Sequence, residues 1–168
     1  RIKRDFAESA IELAPEASKL ISGIQGAKLE GAGWLPEGFA RDYMQLVGYC
    51  AQTIFALKDE VIGVKLQIAY FEEAGPLGLQ ALSALVSFAK ELGLLVIMDA
   101  KRGDIGSTFT RYLNTYLSNT GAPLSLESDA MTVNPLVGTD TWDLFLPYLK
   151  RGKGIFLLTY PTAPGAGA

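Results

Sequence analysis

The sequence predicts an α/β protein built on a parallel sheet, and three observations carry that prediction. From Val61 onward, short apolar runs alternate with helical patterns in the order β-α-β-α-β-α-β. The runs are apolar on both faces, as in a parallel sheet covered by helices. Polar residues gather where the runs end, in VKLQ, DAKRGD, VNP and LTYPTAP. Right-handed crossovers put all those ends on one side of the sheet, the side that carries the chemistry in such folds.

Each element has its own signal. A first helix is expected from Arg4 to Ser22, with Phe6, Ile11, Leu13 and Leu20 apolar and Pro15 interrupting it. Gly23 to Gly38 is glycine-rich and reads as loop. Tyr43, Leu46, Val47, Cys50, Ile54 and Leu57 recur at helical spacing, so a helix runs from Phe39 to Lys58. Val61 to Gln67 is a short β-branched run and a strand. Leu77 to Glu91 is an amphipathic helix stopped by Gly93. Leu94 to Ala100 is a strand. Ser107 to Ser118 is a helix with a Ser/Thr start. Asp129 to Asn134 is a strand. Asp140 to Lys150 is a helix with Asp140 as N-cap, and Gly154 to Thr159 is the last strand.

The bulk numbers exclude several classes. The chain has 168 residues, 49% hydrophobic and 20% charged, which fits one globular domain. Its net charge of −3 and lack of a basic patch argue against nucleic acid as a partner. No apolar run approaches the ~20 residues of a membrane span, and no cationic stretch followed by an apolar run opens the sequence. A cytoplasmic protein is therefore expected. Cys50 is the single cysteine and lies in a helical pattern, so it reads as a small buried hydrophobe. With no histidine, Ser–His and Cys–His catalysis and imidazole-bound zinc are ruled out. Acid–base chemistry must come from Asp, Glu, Lys or Tyr.

The segment LLVIMDAKRGDIGST concentrates that chemistry. Asp99 and Lys101 are two apart and share a strand face. Lys65 stands near the end of the preceding strand, and Asp104 follows one turn later. Charges that alternate in sign can stay ionised when buried. From spacing alone, the group is either a catalytic cluster or an ion-pair network capping the strand ends.

DAKRGDIGST, with VKLQIAYFE before it and DAMTVNPLVG after it, resembles orotidine 5′-phosphate decarboxylase, and most closely its bacterial-type branch. The resemblance covers about Glu37 to Ala168. It implies a (β/α)8 TIM barrel, of which this chain supplies about the second to fifth strands. A barrel of this kind needs about 250 residues, and the family's first-strand aspartate and phosphate-binding loop find no counterpart. The sequence therefore reads as an incomplete chain: one partial barrel domain over residues 1–168, with residues 1–36 poorly matched.

The resemblance also implies the function and its residues. The family converts orotidine 5′-phosphate to UMP and CO2 in pyrimidine biosynthesis, with no metal and no organic cofactor. Lys101 would protonate the ring carbon that loses CO2, and Asp99 would sit near the departing carboxylate. Lys65 would touch the ribose and hold Asp99. Asp104 would cross a homodimer interface into the partner's site. Ile105 and Thr108 would border that neighbouring site. Thr162, in T-A-P-G where the family has S-N-P-G, would lie near the base. Asn134 is a further substrate-binding candidate at a strand end, or only a turn residue. A preorganised cation beside the developing carbanion is the physical core of this scheme. Two alternatives stay open: a magnesium-dependent sugar-phosphate decarboxylase or aldol lyase of the same barrel group, and a noncatalytic remnant.

Of the remaining polar and aromatic residues, Glu72 and Glu73 read as a solvated loop or helix start. Arg102 alternates away from Lys101 and reads as a surface or interface charge. Trp34 and Trp142 read as packing residues, and Tyr160 as a secondary ligand contact.

Overall fold

The structure is a computed structural model and describes residues 39–120 and 125–160. The expected helix and loop over residues 1–38, with Trp34, and the candidate Thr162 lie outside the described residues.

Helix α1 spans Phe39–Leu57 and is followed by strand β1, Gly63–Gln67. A short helix α2, Ala69–Glu72, precedes α3, Gly75–Glu91. Strand β2 is Leu95–Arg102, α4 is Gly106–Leu117 and β3 is Ala130–Val133. Two 3₁₀ segments, Pro135–Val137 and Thr139–Phe145, lead into α5, Leu146–Leu149. Strand β4 is Gly154–Leu157. The four strands form one parallel sheet in the order β1-β2-β3-β4, as the alternating pattern predicts.

Helices cover one face of this sheet. Leu66, Val96, Met98, Met131 and Val133 point into a buried core with Val47, Ala51, Leu82, Leu85, Phe109 and Leu113. Phe109 and Phe145 meet edge-on with ring centroids 5.3 Å apart, a favourable aromatic geometry. The opposite face of the sheet carries Lys65, Gln67, Ile97, Asp99 and Thr132, together with the half-exposed Leu95 and Phe156.

Three expected elements differ in detail. The Asp140–Lys150 helix is a 3₁₀ segment followed by one turn of α-helix. Pro147 has no N–H to bond the carbonyl four residues back, so a continuous α-helix is lost there. Gly138, at φ 108°, holds the N-cap position expected for Asp140. Helix α4 begins at Gly106 with Ile105 as N-cap and no side-chain cap, not at a capping Ser or Thr. Strand β2 runs two residues past Ala100, and this extension shapes the site.

Candidate active site

Register brings the polar side chains together. Gln67 lies opposite Asp99 across β1 and β2. Met98 lies opposite Met131, which puts Asp99 and Thr132 side by side at the next step. Lys65 and Gln67 share a face of β1 by strand alternation. One buried carboxylate therefore meets side chains from three strands.

Asp99 is 4% exposed, and both its oxygens are used. Oδ1 accepts from the Lys101 ammonium at 2.6 Å and the Thr132 hydroxyl at 2.8 Å. Oδ2 accepts from Gln67 Nε2 at 3.1 Å and faces the Lys65 ammonium at 3.3 Å. Four donors nearly exhaust the acceptor capacity of a carboxylate. Burial would raise the Asp99 pKa. Bonds from Lys101, Thr132 and Lys65, with the charge of Lys101, outweigh it and hold the carboxyl below its usual range. The two lysine side chains are about half exposed, 58% for Lys65 and 45% for Lys101. Two cations on one buried anion leave a net positive cluster at the C-terminal ends of the strands.

The backbone is special at Lys101. Its φ is 46°, and among the described residues it is the one non-glycine with positive φ. The β2–β3 register is regular at Met98 and resumes with Arg102 opposite Val133, so β2 bulges between them. Within the bulge the Lys101 N–H donates to Thr132 Oγ1 at 2.9 Å.

The expected residues thus divide into two groups. Lys65, Asp99 and Lys101 form one cluster. Asp104 stands apart: it makes no ion pair among the described residues, and its Oδ1 accepts from the Ile105 N–H at 2.8 Å. Ile105 and Thr108 are exposed at the start of α4. Asn134 makes a turn contact at the end of β3, its side chain accepting from the Leu136 N–H at 3.1 Å. Its carbonyl lies against Gly103, where an added Cβ would come within 2.5 Å. Gln67 and Thr132 escaped sequence reasoning, although Gln67 stands two residues from Lys65 on a strand.

Arg102 is not a free surface charge. It pairs with Glu72 of α2, donates to the Ala100 carbonyl at 3.3 Å and lies 5.7 Å from the Tyr112 ring centroid. Glu72 accordingly is a tethered helix residue. Trp142 and Tyr160 are exposed. Cys50 is half-buried, and burial pushes its thiol up to about 11, which suits an inert packing residue. Among the described residues no three His, Cys, Asp or Glu side chains group as a metal site, and no helix is long and apolar enough to cross a membrane.

Comparison with known proteins adds independent findings. A model described as Orotidine 5'-phosphate decarboxylase / HUMPS family matches residues 49–168. The orotidine 5′-phosphate decarboxylase of Rhodopirellula baltica is 41% identical over 121 residues, covering 71% of this chain and 40% of the relative. That of Corynebacterium efficiens is 34% identical over 162 residues, covering 96% of this chain and 56% of the relative. The structure of Leishmania donovani OMP decarboxylase superposes with a TM-score of 0.65 at 28% identity, over 74% of this chain and 46% of that one. The chain thus spans about half the length of the relatives it matches.

Proposed function

The chain belongs to the orotidine 5′-phosphate decarboxylase / HUMPS family, its sheet is part of a (β/α)8 barrel, and from that premise we propose that it decarboxylates orotidine 5′-phosphate to UMP in pyrimidine synthesis. The observation that carries the proposal is the Lys65–Asp99–Lys101 cluster at the strand ends. The C–CO2 bond breaks, CO2 leaves, and the electron pair stays on the ring carbon. The Lys101 ammonium gives that carbon a proton and regains one from water. Before the transfer, its fixed positive charge offsets the developing negative charge, which is worth most where water is excluded. Asp99 holds the ammonium in place and faces the departing carboxylate, while Lys65 reaches the ribose.

In the same reading the enzyme is a cytoplasmic homodimer. Asp104 serves the partner's site, with Ile105 and Thr108 at its border. Their exposure on this protomer, and the absence of Asp104 from the Asp99 cluster, support that arrangement. Thr162 and Asn134 complete the substrate surface, Thr162 near the base.

The test is a spectrophotometric assay of orotidine 5′-phosphate loss at neutral pH with EDTA present, comparing the full-length protein with Lys101→Ala. Rapid loss in the parent and a fall of at least about 10³-fold in the variant are expected. No loss in a folded, dimeric parent overturns the reading and favours a magnesium-dependent relative or a binding role.

A further inference from the structure

We propose that Thr132 is a positioning residue for the decarboxylation, its hydroxyl setting the place of the Lys101 ammonium by pinning the β2 bulge; this rests on the function proposed above. The hydroxyl makes two bonds, one to each member of the Asp99–Lys101 pair. It accepts from the Lys101 N–H at 2.9 Å and donates to Asp99 Oδ1 at 2.8 Å. That same oxygen accepts from Lys101 Nζ at 2.6 Å. The ring therefore closes from the Lys101 backbone through Thr132 and Asp99 to the Lys101 side chain.

The bulge gives the ring its purpose. A regular strand would carry Lys101 onward in extended conformation with its N–H in the ladder. Here the chain turns left-handed at φ 46°, a conformation that an L-residue with a long side chain rarely adopts. Such a backbone persists only where its surroundings over-determine it. The Thr132 hydroxyl supplies the acceptor that the lost ladder bond would have provided. Threonine is also β-branched, so its χ1 is restricted and the hydroxyl is held in place on the strand. Valine keeps that shape but has no hydroxyl, leaving the Lys101 N–H and one Asp99 lone pair without this partner. The bulge can then relax and the ammonium shift.

The experiment measures kcat and KM for orotidine 5′-phosphate in the full-length protein with Thr132→Val and Thr132→Ser. The valine variant is expected to lose about 10- to 100-fold in kcat, the scale of a displacement near 1 Å, with KM changing less than about 3-fold. The serine variant is expected to recover kcat to within about 3-fold of the parent. The acid limb of the kcat–pH profile should move to higher pH in the valine variant only. Asp99 there loses one donor while Lys65, Lys101 and Gln67 still face it. A purely structural role would lower stability without moving that limb. An active parent with an unaffected valine variant overturns this inference alone, as does equal loss in both variants or failure of both to fold. An inactive parent overturns the proposed function, and this inference with it.

Discussion

The Lys101 ammonium stands 2.6 Å from Asp99 Oδ1, and the two residues come from one strand, two positions apart. Neither needs a distant segment to find the other. The bulge that contains them, between Met98 and Arg102, turns this local pair into part of a three-strand network.

Asp99 should make stability depend on acid pH. Its folded pKa is depressed, so its contribution is fully present above the unfolded value of about 3.9 and is lost as pH falls through the folded value. Asp99→Asn should cost about 1–3 kcal/mol at pH 6, the scale of charge-assisted hydrogen bonds. Urea unfolding from pH 6 down to pH 3 checks this. The gap between parent and variant should stay constant to about pH 4 and then shrink. A gap that does not narrow below about pH 4 contradicts the assignment.

Glu72 and Arg102 tie α2 to the end of β2. Glu72 is 42% exposed, so solvent screening limits the pair. A double-mutant cycle with Glu72→Gln and Arg102→Met should give a coupling of about 0.5 kcal/mol. A coupling near zero would mean that the Ala100 carbonyl, the Tyr112 ring and Tyr116 hold Arg102 without help from Glu72.

Gly103→Ala should destabilise by about 1–3 kcal/mol, the usual effect of overpacking. Its new Cβ would lie 2.5 Å from the Asn134 carbonyl oxygen, a backbone atom that cannot swing aside. Thermal unfolding reads this directly, and an unchanged midpoint would show that the β2–α4 turn yields freely.

Much of the site is legible in the sequence. The i, i+2 spacing of Asp99 and Lys101 fixes a shared face, and the parallel order brings Lys65 alongside. The same parity applied to VKLQ points to Gln67. Thr132 is harder, because its place beside Asp99 depends on the β2–β3 register, and no local pattern sets that register. The positive φ of Lys101 is harder still, since propensity argues against it and only tertiary contacts hold it. Pro147 is a visible signal against a continuous helix over Asp140–Lys150, and the N-cap reading of Asp140 does not take it into account.

The sheet stacks its strands in the order in which the chain makes them. The links from Asp99 to Gln67 and Thr132 span 32 and 33 residues, about one strand–helix repeat each. Chain-closure entropy grows slowly with loop length, about 0.6 kcal/mol per doubling, so closing one repeat costs less than closing several. A nascent chain leaving the ribosome has every donor to Asp99 in hand once Thr132 emerges. The charge cluster can therefore assemble during synthesis, before any later segment exists to join it.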